Sequence, residues 1–212
     1  MGVAGHIDKR QAILAAAFTV FARRGYGEAC VQEIAEEAKV AKPTVYSHLA
    51  DKENLFRQAM AAAAETVLAE NLAVIERLRE PGKDLRATLT DVGYRLLQVC
   101  CSEDSRSLRR LTYAQVARFP ELIETVYART SRQVAEAMAD RLARFVLSGH
   151  LRHCDPADAA DQLLALLVGP MEARSLLGTR KVAAAEMRAV ATAATDTFLR
   201  AYRSRGDLPS RE

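Results

Sequence analysis

The polar residues best suited to chemistry in this chain are crowded into one short stretch, Lys42-Pro43-Thr44-Val45-Tyr46-Ser47-His48, with Lys52 close behind. No acid falls between Lys42 and Ala50. Hydroxyls, an imidazole and ammonium groups without carboxylates are the groups that hydrogen-bond to phosphate oxygens and to base edges. At helical spacing Val45 and Leu49 lie four apart and face inward, which turns Thr44, Ser47 and His48 outward. Pro43 suits a first helical turn because its φ is already helical. Lys42, Thr44 and Ser47 then stand at the tip of the helix, where base edges in a major groove would be reached. Tyr46 and His48 flank the tip and could bond to phosphates, which fix position without reading sequence.

Elsewhere the chemistry is thinner. His150, His153 and Cys154 share a stretch, but their order matches no zinc pattern and a fourth ligand is lacking in the sequence around them. Cys100-Cys101 reads as a pair of small apolar side chains rather than a redox sensor. Glu33, Glu36 and Glu37 fall on the solvated face of a helix. No nucleophile with a base, carboxylate pair or cofactor loop stands out. The expectation is a protein that is not an enzyme and holds neither metal nor cofactor.

Apolar residues recur at helical spacing through most of the 212 residues, and alternating β-branched runs are absent. The reading is an all-α chain of about nine helices. Helices are expected over about 8–24 (closed by Gly25), 31–39, from Lys42 for barely two turns, and from an Asp51 N-cap to about Arg79 before a break at Pro81-Gly82. Others follow over about 84–101, 108–118 after a polar break "SEDSRS", 121–147 behind Pro120, 156–177 behind an Asp155 cap and closed by Gly178, and 182–203. A kink is expected at Gly169-Pro170, and the tail 206–212 reads as frayed. Domain boundaries are expected as 1–60 and 61–205. The net charge of +3 permits a nucleic-acid partner without requiring one, because residues 1–60 carry almost as many acids as bases. Four irregularly spaced cysteines suggest reduced thiols, and no apolar run approaches the roughly 20 residues that span a bilayer. A cytoplasmic protein with no membrane partner is expected.

Two short helices joined by a tight turn, the second opening on a basic residue, are the pattern of a helix-turn-helix. With "ILAAAFTVFARRGY" and "IAEEAKVAKPTVYSHLADKENLF", covering about Ile13 to Phe56, the sequence resembles the amino-terminal domain of the TetR family of bacterial transcriptional regulators. Thr44, Val45, Tyr46, His48, Leu49 and Lys52-Glu53-Asn54-Leu55 carry that resemblance. It departs at Lys39, where the family commonly has Gly, at Cys30, where Thr or Ser usually caps, and at Leu49, usually aromatic. The resemblance implies that Lys42, Pro43, Thr44, Tyr46, Ser47 and His48 face double-stranded DNA, and that Lys52 meets a phosphate at the start of the fourth helix.

The later segment, through "RFPEL", "GHLR" and "DPADAA", resembles the AefR-like branch of the same family, although Gln115 stands where an acid is common. That resemblance implies a domain that binds a small molecule and forms a homodimer through its last two helices. Pocket candidates are the larger residues of the central helices: Tyr94, Leu97, Cys100, Tyr113, Val116, Phe119, Met138, Phe145, Met171 and Arg174. The expected function is a repressor that binds a palindromic operator as a homodimer and is released by an unknown small apolar or amphipathic ligand. The rival is an architectural or partner-recruiting DNA-binding protein with no small-molecule inducer.

Overall fold

The structure is a computed structural model that describes residues 2–79, 84–176 and 178–204, and only the backbone of residues 2–8 and His48. The break expected at Pro81-Gly82, the helix end at Leu177 and the tail 206–212 lie outside the described residues. Among the described residues ten α-helices follow one another: α1 Gly2–Glu28, α2 Val31–Glu37, α3 Lys42–His48, α4 Lys52–Ile75, α5 Leu85–Cys100, α6 Glu103–Ala114, α7 Glu121–Tyr127, α8 Gln133–Leu147, α9 Pro156–Arg174 and α10 Ala184–Tyr202. A 3-10 turn, Glu76–Leu78, extends α4, and a π-helical turn, Ala128–Arg132, joins α7 to α8. Counting 121–147 as one helical run recovers the nine expected. No strand occurs among the described residues; the only extended pairing there is an isolated bridge between Leu151 and Arg203.

The helix ends obey local rules. Gly25, at φ 77 and ψ 165, breaks the regular course of α1 where a stop was expected. Asp51, Asp84 and Asp155 each accept a backbone N–H of the following turn, at 2.7, 3.1 and 2.8 Å. Two expectations fail. The polar run "SEDSRS" is not a break but holds the first turn of α6, where Glu103 and Asp104 complement the helix dipole and Ser105 and Ser107 are buried. Polarity there marks a helix start with small hydroxyl residues packed inward, which alternation cannot distinguish from a loop. The helix over 121–147 is interrupted by its π turn. α9 carries Pro170 inside it and runs on to Arg174.

The chain packs as two compact units. The first comprises residues up to Val67 together with Glu103–Thr130, and the second comprises Leu68–Ser102 together with the residues from Ser131 on. By packing, then, α6 and α7 go with the amino-terminal helices, beyond the boundary placed at residue 60. In the first unit Phe21, Tyr26, Phe56 and Phe119 form an aromatic cluster with ring centroids 4.9–5.3 Å apart along the chain of contacts. Each such ring, fully buried, contributes about 1.5–3 kcal/mol by burial alone.

The second unit is a bundle of α5, α8, α9 and α10 around one apolar cluster that includes Leu97, Met138, Phe145, Leu163, Met171 and Phe198. α5 approaches α9 and α10 closely at Gly93, where an added Cβ would meet Leu167 Cδ2 at 2.9 Å and Ala191 Cβ at 3.6 Å. A bidentate pair from Arg86 to Asp196, at 2.6 and 3.0 Å, ties α5 to α10 at the surface. Replacing Gly93 with Val must displace Leu167 and is expected to destabilise the chain by about 1–3 kcal/mol, read as a lowered midpoint in chemical denaturation.

Candidate nucleic-acid interface

α2 is started by a thiol and stopped by a strained lysine. Cys30 has extended backbone and its Sγ accepts the Glu33 N–H at 3.4 Å, so a thiol, a weak acceptor, caps the helix where Thr or Ser is usual in the family. At the other end Lys39 adopts φ 55, with its N–H donated to Glu36 and that of Val40 to Ala35, at 3.1 and 2.9 Å. That pair of bonds is a Schellman stop, which normally uses Gly because only Gly takes a left-handed backbone without cost. The turn 38–41 then delivers Ala41 in extended conformation, and α3 begins on Lys42 with Pro43 in its first turn.

α3 has seven residues. Val45 and Leu49 are each 1% exposed and fix it to the first unit's core, whereas Lys42, Pro43, Ser47 and Tyr46 are exposed, Tyr46 by 44%. Thr44 is half-buried. The Ser47 hydroxyl donates to the Thr44 carbonyl at 2.9 Å, which leaves its oxygen lone pairs facing outward as acceptors. His48 ends the helix, and its side chain lies outside the described residues. Lys52 is held at rest: Nζ donates to the Gly27 carbonyl at 3.1 Å and sits 4.8 Å over the Tyr26 ring.

Glu33 and Glu37 of α2 and Glu53 of α4 are engaged by arginines. Glu33 accepts from Arg23 at 2.8 Å and Arg24 at 3.2 Å, and those hydrogen bonds hold its carboxyl below the usual range, the Arg23 bond most. Glu37 lies 3.5 Å from Arg23. Glu53, in the first turn of α4, accepts from Arg118 at 2.5 Å. Burial pushes the Tyr26 phenol above its ordinary value, so it stays neutral beneath the cations around it. Sequence reasoning missed Arg118 and Glu121 as neighbours of this region. "RFPEL" was visible as a signature, but nothing local links residue 118 to residue 53, which lies 65 positions away.

The pocket candidates divide between the units. Leu97, Met138, Phe145 and Met171 share the apolar cluster of the second, with Tyr94 packed against it and carrying the Arg188 guanidinium 4.2 Å over its ring. Cys100 is half-buried, and Arg174 is exposed at the end of α9. Tyr113 and Val116 are exposed in the first unit, and Phe119 is committed to its aromatic cluster. Of the residues weighed as a metal set, His150 Nδ1 lies 2.7 Å from the Ser148 hydroxyl, His153 is exposed, and Cys154 packs against the core, where burial pushes its thiol up.

A short helix presented tip-outward behind a tight turn, with buried residues fixing its inner face and no acid on its outer one, defines a helix-turn-helix DNA-binding protein. Comparison with known proteins agrees. Residues 13–59 match the family model described as bacterial regulatory proteins of the tetR family, and residues 87–204 match that of the AefR-like transcriptional repressor carboxy-terminal domain. The chain belongs to the TetR family of transcriptional regulators, in its AefR-like branch, and this is a family of regulators rather than enzymes. A TetR-family regulator from Mesorhizobium loti is 30% identical with a TM-score of 0.86, over 93% of this chain and 98% of that one. The flavonoid-responsive regulator FrrA shares the fold at 24% identity and a TM-score of 0.69, over 93% and 98% of the two chains. The uncharacterised HTH-type regulator YfiR of Bacillus subtilis is 27% identical over 159 residues, 68% of this chain and 77% of its own. Among the described residues no helix is long and apolar enough to cross a membrane.

Lys39→Gly is expected to stabilise the chain by about 1 kcal/mol through relief of the left-handed backbone, seen as a higher denaturation midpoint.

Proposed function

We propose that this regulator is a homodimeric repressor that holds a palindromic operator through two copies of α3 and releases it when a small apolar or amphipathic ligand binds the carboxy-terminal part of the chain. The observation that carries the reading is the acid-free outer face of α3. Lys42, Thr44 and Ser47 read base edges, Pro43 shapes the tip, and Tyr46, His48 and Lys52 take phosphates. Lys52 reaches a phosphate by leaving the Gly27 carbonyl, a neutral partner that an anion outcompetes.

Dimerisation is supported by α10, where Ala185, Ala189, Ala193, Thr197 and Ala201 are exposed at four-residue spacing, and by α9, where Ala165, Val168 and Gly169 are exposed. Small residues in such rows let two helices approach closely, and helix pairs from two subunits then form a four-helix bundle. Two copies of α3 placed one DNA turn apart, about 34 Å, would engage successive major-groove faces. For the ligand, Leu97, Met138, Phe145 and Met171 with Tyr94 and Cys100 supply an apolar lining with a few polar groups, the usual character of such sites. A fold shared with a regulator described as flavonoid-responsive supports a small-molecule signal. α4 belongs to both units, changing from one to the other after Val67, and is the element through which ligand occupancy would reach α3.

Selection of bound fragments from host genomic DNA by the purified chain, beside Tyr46→Ala, tests the reading. One shared palindrome recovered by the wild type alone is expected; scattered fragments with no common site would favour an architectural DNA-binding role. On the recovered site, Lys52→Ala is expected to weaken operator and random DNA alike and to lower the salt slope by about one. Thr44→Ala should instead cost about 1–3 kcal/mol on the operator and little on random DNA, measured by titration at two salt concentrations.

A further inference from the structure

α3 is too short to hold its own orientation. A seven-residue helix is not stable alone in water, and this one is fixed by Val45 and Leu49 beneath it and by the first turn of α4 just behind it. Whatever holds that first turn therefore aims α3. Its inner side is conventional: Asp51 caps it, and Leu55 and Phe56 are buried. Its outer side is held by the turn between α6 and α7. Arg118 donates to Glu53 at 2.5 Å, Glu53 lies 3.8 Å from Arg57, and Arg57 donates to Glu121 at 2.7 Å. The four charges alternate in one row across two segments about 65 residues apart in sequence.

The row is seated on the aromatic cluster. The Arg57 guanidinium lies 4.8 Å over the Phe119 ring, and that of Arg118 lies 4.9 Å over Tyr26, the same ring that carries the Lys52 ammonium. Phe119, between the paired residues, is 1% exposed against Tyr26 and Phe56. Exposed ion pairs taken singly contribute little, but a network whose members are also stacked on buried rings is held in one geometry. Arg129, paired with Glu65 at 2.8 Å, and Arg110, bonded to the Ala22 carbonyl at 3.2 Å, tie the same segment to α4 and α1.

We infer that Arg118, Phe119 and Glu121 are positioning residues for DNA binding: they clamp the first turn of α4 and thereby set the direction in which α3 is presented, although none of them lies in the helix-turn-helix. This rests on the reading that α3 is the DNA-contacting helix.

Glu121 separates the clamp from simple electrostatics. Removing an acid makes the chain more basic, which by charge alone tightens binding to DNA. Loss of the clamp weakens it. Glu121→Gln removes the charge opposite Arg57 and Glu121→Lys reverses it, at an exposed position where neither threatens the core. Affinity for the DNA fragment selected by the wild type is expected to fall about three-fold for Glu121→Gln and about ten-fold for Glu121→Lys. Amide hydrogen exchange of the DNA-free chain should accelerate over residues 45–56, with the second unit unchanged. Binding that is tighter or unchanged overturns the inference, as does exchange that rises evenly through both units. Thr44→Ala serves as the control for the underlying reading: if it leaves operator binding intact while Glu121→Lys speeds exchange in α3, the clamp stands and the placement of α3 at the DNA falls.

Discussion

The constraint on which the first unit depends is that a helix of seven residues must be held from outside. Helix formation carries a nucleation cost that so few hydrogen bonds cannot recover, so α3 exists because Val45 and Leu49 are locked into a core built by other elements. That core centres on Phe56, whose ring touches Phe21 and Tyr26 of α1 and Phe119 from the turn between α6 and α7. The outer face of α3 is released from any packing duty by this arrangement. Its side chains can then be chosen for what they meet in a groove.

Electrostatics around the tip follows from the same economy. The first sixty residues are almost neutral, which gave no reason to expect a nucleic-acid partner from charge alone. The structure shows how a nearly neutral module keeps an acid-free tip: Glu33, Glu37 and Glu53 are each drawn onto arginines, and Lys42 stands on the exposed face of α3. Lys52 waits over Tyr26, bonded to a backbone carbonyl that it can leave at small cost.

Much of this was legible because it is local. The inward pair Val45 and Leu49, the Asp51 cap and the stop at Gly25 follow from spacing or from the stereochemistry of one residue, and the strained backbone at Lys39 from the family resemblance, in which Gly is common there. What was not legible depends on distant partners. The polar start of α6 reads as a loop until Ser105 and Ser107 are seen to be buried. Phe119 looks like any large residue of a central helix, and only its contact with Tyr26 and Phe56 assigns it to the first unit. The π turn at Ala128–Arg132 has no signature in "ARTSR", because an i to i+5 register is imposed by the helices it joins.

The first unit is discontinuous in sequence, and this bears on how the chain is made. A ribosome releases residues in order, so the helix-turn-helix emerges long before Phe119, the ring that completes its aromatic cluster. Until then Tyr26 and Phe56 lack one of their partners, and the nascent chain carries an open apolar edge through the synthesis of α5. At about 5–20 residues per second, the stretch from Phe56 to Phe119 takes several seconds. The reading head is therefore finished only after the first segment of the second unit, residues 68–102, has already been translated, and the two units complete in the order of their last segments rather than their first.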